Sequence, residues 1–213
     1  MPKEKAPLEE LGVYLPEGSL DYVLNFIYLH KIQLTVTRKR KSILGNYQYH
    51  PLHKSHRISI NGNLNRYSFL ITLLHEIAHL TAFEKFGVTI QPHGKEWKNE
   101  FGNLLKPMTE KKVFPEDIEQ ALRRSLQNAA AGTCGDPYLL KTLRKYDQAK
   151  DTMICVEELE TGKEFYTEDS RLFIRGEKIR TRYKCQEKST GKWFLFHGLY
   201  EVFPAVVRTK TLS

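Results

Sequence analysis

The residues with the clearest chemical potential lie at positions 75–79, which read His-Glu-Ile-Ala-His. They fall in the apolar run 70–83, which has no Gly or Pro and therefore predicts a buried helix. Residues four apart lie on one helix face, so His75 and His79 are placed to bind one Zn²⁺ through neutral ring nitrogens. Glu76 is one position further along, within reach of a water molecule beside that ion. This H-E-x-x-H pattern is typical of zinc hydrolases, in which the glutamate is the general base.

A third ligand is required, because a catalytic zinc has three protein ligands and one open position. His93 follows His79 by fourteen residues and stands in a Pro-His-Gly turn before an amphipathic segment. Glu100 follows His79 by twenty-one residues, a separation at which other zinc peptidases supply a glutamate from a second helix. It also fits an ordinary solvated helix charge. Spacing alone leaves both residues open as the third ligand.

The two motifs together resemble one family. His-Glu-Ile-Ala-His followed by His-Gly-x-x-Trp at positions 93–97 resembles the SprT-like (Spartan-type) zinc metalloproteases, whose pattern is H-E-x-x-H and then H-G-x-x-aromatic. The resemblance covers roughly residues 20–108. It extends to the basic run 38–41, Gly45 and the strand 57–61, which are similar to the basic hairpin that precedes the family's active-site helix.

The resemblance implies a complete site. Carried over position by position, it makes His75, His79 and His93 the ligands of one catalytic zinc and Glu76 the general base. It therefore favours His93 over Glu100 as the third ligand.

The composition is that of an ordinary soluble globular protein, with 40% hydrophobic and 27% charged residues in a chain of 213. The first ten residues contain no apolar stretch, and no run approaches the roughly 18 apolar residues that a membrane span needs. Three cysteines without a close pair argue against a disulfide framework. We therefore expect a cytoplasmic protein without a membrane segment. The cysteines are Cys134, Cys155 and Cys185.

The expected fold class is α+β. It consists of a helical zinc-metalloprotease domain with a small antiparallel sheet and the H-E-x-x-H helix, followed by a small C-terminal β-hairpin region. The helix after His93 is expected to break at Pro107. The expected boundaries are an N-terminal tail at 1–14, the SprT-like domain at 15–110, a helical connector packing on it at 111–150, and the hairpin region at 151–213.

The C-terminal region contains a weak repeat. Each copy begins at a cysteine, Cys155 or Cys185, and continues through a Thr-Gly turn to an aromatic strand, which predicts two β-hairpins. Many relatives of the SprT-like family carry a zinc ribbon at this place, and a zinc ribbon needs two C-x-x-C-like pairs. One cysteine per copy does not meet that requirement. We expect an aromatic core here and no second zinc.

The net charge of +8 favours an anionic partner. Two groups of cations are candidates for nucleic-acid contacts, one followed by Tyr47 and Tyr49 and the other alternating along a predicted strand, which places its members on one face. Eukaryotic relatives of the SprT-like family act on proteins crosslinked to DNA, and this strengthens the expectation of sequence-independent DNA binding. The first group is Arg38, Lys39, Arg40 and Lys41, and the second is Arg180, Arg182 and Lys184.

Three evenly spaced histidines, His50, His53 and His56, offer a second metal hypothesis. Their segment is rich in turn residues and has no acidic side chain that could support a ligand. Solvated loop histidines are the better interpretation.

The favoured function is peptide-bond hydrolysis by a zinc-activated water with Glu76 as general base, on protein substrates that include DNA-associated proteins. Two alternatives stay open. One is a zinc hydrolase of another amide, and the other is a nucleic-acid-binding protein with an idle zinc site. Glu76 argues against the idle site, because such a site has no need of a buried carboxylate. The sequence leaves the oligomeric state open.

Overall fold

The computed structural model describes residues 8–40, 43–127, 136–147 and 153–205. The chain forms two compact units, residues 1–148 and residues 149–213, and its architecture is α+β, as expected. Lys41 and Cys134 lie outside the described residues. None of the helices in these ranges has the length and apolar composition needed to cross a bilayer.

The first unit contains five α-helices and three strands among its described residues. Short 3-10 helices occupy Leu8–Tyr14, Pro51–His53 and Gly87–Thr89. The strands are β1 (Gln33–Thr37), β2 (Gly45–His50) and β3 (Ser55–Asn61). The helices are α1 (Leu20–Leu29), α2 (Arg66–Phe86), α3 (Lys95–Glu110), α4 (Glu116–Gln127) and α5 (Pro137–Arg144).

The sheet of the first unit has the order β1-β3-β2. Strand β2 runs antiparallel to β3, with Tyr47 opposite Ile58, whereas β1 runs parallel to β3, with Leu34 opposite Ile58. The expectation of a wholly antiparallel sheet is therefore wrong for β1. The reason is topological: β2 lies between β1 and β3 in sequence but at the edge in space, so β1 and β3 are not hairpin partners. Helix α2 packs on β2 and β3.

Helix α2 is buried along most of its length. At its start the Asn65 side chain accepts a hydrogen bond from the Ser68 N–H at 2.9 Å. At its end Gly87 adopts a φ of 73°, which favours glycine. Polar side chains are buried with the apolar ones, and burial of such groups is costly unless they have partners. The buried polar residues of α2 are Thr72, His75, Glu76 and Thr81.

Helix α3 does not break at Pro107 as expected but continues to Glu110. A proline removes one backbone hydrogen bond from a helix interior. Met108, directly after it, is fully buried in the core, so packing keeps the last turn helical. The other buried apolar residues of α3 are Trp97, Phe101, Leu104 and Leu105.

The second unit is one antiparallel sheet of six strands, which are β4 (Ile154–Cys155), β5 (Glu164–Tyr166), β6 (Leu172–Ile179), β7 (Arg182–Glu187), β8 (Trp193–His197) and β9 (Glu201–Pro204). Their order in the sheet is β4-β9-β5-β6-β7-β8. The second repeat copy is a hairpin of β7 and β8. The first copy is not a hairpin, because β4 pairs with β9, which also pairs with β5. The buried core of the second unit comprises Val156, Leu159, Phe165, Phe173, Tyr183, Cys185 and Val202.

Candidate metal centre

Three histidines of the first unit bring the same ring nitrogen to one point. The Nε2 atoms of His75 and His79 are 3.2 Å apart, those of His79 and His93 are 3.1 Å apart, and those of His75 and His93 are 3.0 Å apart. Two ligands of a tetrahedral zinc with bonds of about 2.0–2.1 Å are separated by about 3.3 Å. The triangle therefore fits one small metal ion. Within the described ranges, no other group of three or more His, Cys, Asp or Glu side chains brings its ligand atoms so close together.

The local structure explains how these histidines meet. His75 and His79 project from the same face of α2, one helical turn apart, as the spacing predicts. His93 lies in the turn before α3 and has a φ of 60°, which is uncommon for a residue with a side chain. Its neighbour Gly94 lies so close to the Gln91 carbonyl that a Cβ on it would be 2.9 Å from that oxygen. A glycine after His93 therefore allows the tight turn that points His93 back to α2.

Trp97 forms a wall beside the three imidazoles. The centroid of its ring lies 4.6 Å from that of His75, 5.3 Å from that of His79 and 4.8 Å from that of His93. Its other neighbour is Phe101, on which it stacks at 5.0 Å. Because Trp97 is fully buried, it excludes water from this side of the site and restricts the rotation of the imidazole rings.

Burial keeps the three imidazoles neutral. It lowers the pKa of His75 to about 3 and that of His79 to about 4, and neighbouring histidines lower both further. Burial also lowers the pKa of His93, with a smaller contribution from the Lys98 charge. Only a neutral imidazole offers a lone pair to a metal, so the site is ready to bind one at neutral pH.

The carboxylate of Glu76 is buried against the start of β2. Burial raises the pKa of Glu76 to about 7, and a hydrogen bond from the Tyr47 N–H and the charge of Arg40 partly offset that increase. Gly45, the first residue of β2, is so close that a Cβ on it would be 2.7 Å from the Glu76 Oε1 atom. The main chain at the start of β2 therefore lies directly against the Glu76 carboxylate.

The sequence does not predict these neighbours of Glu76 as site residues. Gly45 enters only through the hairpin resemblance, although a glycine at a strand position often marks close approach of another group. The Tyr47 contact uses a backbone N–H, which carries no sequence signal. Arg40 lies in a basic run, which predicts a nucleic-acid contact instead.

Glu100 is not a solvated charge, contrary to one interpretation of the sequence. Its side chain lies in the buried face of α3, the residue is only 8% exposed, and its two carboxylate oxygens lie 2.7 and 2.8 Å from the Lys85 Nζ atom. The ion pair of Glu100 with Lys85 links α3 to α2, and Glu100 does not belong to the histidine group. A buried carboxylate needs a partner, and Lys85 provides one.

The interpretation of His56 as a solvated loop residue is also wrong. His56 is buried on β3, where its Nδ1 lies 3.0 Å from the Tyr47 hydroxyl and its Nε2 lies 3.3 Å from a Glu84 oxygen. The other Glu84 oxygen lies 2.9 Å from the Nδ1 atom of His30. The acid that the local sequence lacks is thus supplied by α2.

The members of the first cationic group differ in their exposure and in their hydrogen bonds. Arg38 and Lys39 are exposed, whereas the Arg40 guanidinium donates hydrogen bonds to the protein itself. The rings of Tyr47 and Tyr49 pack against His56 and Phe83, so they are not free to stack on bases. Lys41, the fourth cation of this group, lies outside the described residues.

The second cationic group is also altered. Arg182 and Lys184 are exposed on the same face of β7, as the alternation predicts. Arg180 does not share that strand face, because it lies in the turn between β6 and β7 with a φ of 55°.

Comparison with known proteins agrees with the motif. Residues 21–115 match the profile of the SprT-like family, and this range contains α1 except its first residue, all of α2 and α3, and the whole histidine group. No curated protein and no solved structure matches the chain at a significant level. The similarity to the SprT-like family therefore lies in the segment 21–115, which contains the histidine group.

Proposed function

We propose that this protein is a zinc-dependent metalloprotease in which His75, His79 and His93 hold the metal and Glu76 is the general base. The observation that carries the proposal is the convergence of three Nε2 atoms within 3.2 Å of one another, with the buried carboxylate of Glu76 on the helix that supplies His75 and His79. The match of residues 21–115 to the SprT-like family supports it.

The donor set favours zinc. Three imidazole nitrogens suit zinc and other late transition metals, whereas Mg²⁺ and Ca²⁺ take oxygen ligands. Three protein ligands leave the fourth position of a tetrahedral site free for the reaction. A zinc ion held there would supply Lewis-acid activation of a water molecule and of the substrate carbonyl.

Glu76 moves the proton in this mechanism. Its pKa of about 7 is close to the operating pH, so the carboxylate can accept a proton from the attacking water and then deliver it to the leaving amine. The Tyr47 N–H holds the side chain in one orientation while it does so. Burial of His75 and Trp97 keeps bulk water away from the reacting groups.

Metal removal and restoration tests the proposal. The purified protein, stripped of metal with a chelator, is incubated with a basic test protein, with and without single-stranded DNA, and then with added Zn²⁺ or Mg²⁺. We expect cleavage to be absent from the stripped protein and to return with zinc but not with magnesium. Cleavage that persists without metal, or no cleavage by the zinc-loaded protein under any of these conditions, would contradict the proposal.

We also propose that the second unit binds single-stranded nucleic acid. Trp193 and Leu195 on β8 are each 54% exposed, and the Lys184 Nζ lies 4.6 Å from the centroid of the Trp193 ring. The register places Lys184 opposite Leu195 and Arg182 opposite His197, so these side chains share the face away from the core. Within the part of the chain that the structure describes, no carboxylate pairs with Arg182 or Lys184.

An exposed indole beside cations that pair with no carboxylate can stack on a base while the cations contact phosphates. Such contacts carry no sequence preference, and they would direct the protease to DNA-associated proteins. Fluorescence anisotropy of a labelled single-stranded oligonucleotide tests this with Trp193→Ala, and with Tyr166→Ala as an exposed aromatic control on β5. We expect Trp193→Ala to bind the oligonucleotide roughly ten-fold more weakly than the wild type does. Tyr166→Ala should bind it with wild-type affinity. Equal affinities of the two variants would contradict the assignment.

A further inference from the structure

Arg40 donates hydrogen bonds from all three nitrogens of its guanidinium to the protein. Nε lies 2.7 Å from the Asn61 Oδ1, Nη1 lies 2.9 Å from the Ser59 Oγ, and Nη2 lies 3.1 Å from the Ser59 carbonyl and 3.3 Å from that of Leu44. The planar fork of arginine is suited to such a set, and lysine cannot reproduce it. Arg40 therefore joins the end of β3 to the segment that leads into β2.

Asn61 completes this connection from the other side. It is almost fully buried, and its Nδ2 donates to the Ile43 carbonyl at 2.9 Å and to the Arg40 carbonyl at 3.4 Å. Its backbone N–H donates to the Leu44 carbonyl at 2.9 Å. The main chain before β2 is thus fixed at three carbonyl groups.

The chain passes directly from this fixed point to the general base. Leu44 is followed by Gly45, where an added Cβ would lie 2.7 Å from both the Glu76 Oε1 and a methyl group of Thr72, so those side chains would have to shift. Two residues later the Tyr47 N–H donates to the Glu76 carboxylate. Since β2 is an edge strand, only β3 supports it within the sheet, and its first residues depend on the preceding segment for their position.

We propose that Arg40 is a positioning residue for Glu76: its hydrogen bonds to Ser59, Asn61 and Leu44 hold the start of β2 against the carboxylate. This inference rests on the proposed role of Glu76 as the base. It replaces the assignment of Arg40 to a nucleic-acid patch, because its donors are engaged inside the protein.

Hydrogen exchange at the Tyr47 amide, followed by NMR in the full chain, tests the inference without requiring catalysis. The matched control is Arg57→Gln, which removes the same charge from an exposed arginine on β3. We expect Arg40→Gln to accelerate exchange at the Tyr47 amide by about ten-fold, because the N–H loses its fixed acceptor, and Arg57→Gln to leave it unchanged. Equal exchange in wild type and Arg40→Gln would overturn the inference.

Steady-state kinetics with the zinc-loaded protein provides the second readout. We expect Arg40→Gln to lower kcat by roughly 10- to 100-fold through misplacement of Glu76, with KM within about two-fold and zinc content unchanged. Arg40→Lys keeps the positive charge but lacks the planar guanidinium with its three donor nitrogens, so it should not restore kcat. Full rescue by Arg40→Lys would overturn the argument from geometry.

A milder variant covers the case in which Arg40→Gln does not fold. Ser59→Ala removes one acceptor of the guanidinium, and it should accelerate exchange at the Tyr47 amide by a smaller factor. No change in this variant would count against the inference. If the wild type cleaves no protein, the proposed function fails, but the exchange rates still decide whether Arg40 positions Glu76.

Discussion

The three histidines of the candidate metal centre differ in how they are held, although all three present Nε2. His75 and His79 belong to a buried helix, so their positions are set by the core, whereas His93 depends on a strained turn and on Gly94. Trp97 contacts all three rings and compensates for the weaker support of His93. The three imidazoles therefore form one packed group rather than three separate side chains.

Alanine substitutions of the ligands test this group. We expect one zinc per chain in the wild type and loss of tight binding in His75→Ala, His79→Ala or His93→Ala, because two imidazoles bind zinc much more weakly than three. Metal analysis of the purified variants measures this. Glu100→Ala is the control, since Glu100 binds Lys85 instead. Zinc lost from Glu100→Ala and kept in His93→Ala would contradict the ligand choice.

Gly45 provides a separate test of the contact behind Glu76. In Gly45→Ala the added methyl would lie 2.7 Å from the Glu76 Oε1, so the carboxylate must move. We expect kcat to fall by roughly 100-fold while zinc content stays at the wild-type level, because the histidines are not displaced. Gly102→Ala, where a Cβ meets nothing within 4 Å, is the control. Wild-type kcat in Gly45→Ala would show that the carboxylate does not need this contact.

At the scale of elements, the sequence predicts those helices and strands that depend on a local pattern of apolar and polar residues. The apolar run around positions 75–79 and the amphipathic pattern after His93 predict α2 and α3. The parallel pairing of β1 with β3 depends on which strand lies at the edge, and no local pattern encodes that. The burial of His56 likewise depends on Glu84, twenty-eight residues away in sequence.

The second unit contains an ion pair that predicts a pH dependence of stability. Hydrogen bonds from Arg171, at 2.6 Å, and from Thr190 lower the pKa of Glu187 from 4.5 to about 2. A carboxylate whose pKa is lower in the folded state stabilises the fold above its unfolded pKa, and this contribution is lost as pH falls from about 4.5 through about 2.

Glu187→Gln should therefore lower the melting temperature of the second unit near pH 6, and the difference from wild type should shrink towards pH 2. Scanning calorimetry of the full chain measures it. The control is Glu177→Gln, which removes an exposed carboxylate from the same sheet. A difference that stays constant over this pH range would exclude the ion pair as its cause.

At the scale of the whole molecule, the charge of +8 is distributed between structural and exposed cations. Arg40 and Arg171 are held by protein groups, whereas Arg182 and Lys184 are exposed beside Trp193. Net charge alone therefore overstates the surface that is available to an anionic partner.

Salt dependence of oligonucleotide binding measures that available surface. We expect log affinity to fall linearly with log salt concentration, and the double substitution Arg182→Gln and Lys184→Gln to flatten the slope by roughly 1.4, because each phosphate contact on a single strand contributes about 0.7. Zinc content should not change. An unchanged slope in the double variant would show that Arg182 and Lys184 do not contact the phosphates.

The central claim is that Glu76 is the base of a zinc peptidase, and the substitution Glu76→Gln tests it most directly. Glutamine keeps the size of the side chain but cannot accept the proton of the attacking water. In parallel assays of zinc content and of cleavage of a basic test protein, we expect Glu76→Gln to bind zinc as the wild type does and to lose cleavage by at least roughly 100-fold. Near wild-type cleavage by the zinc-loaded variant would contradict the claim.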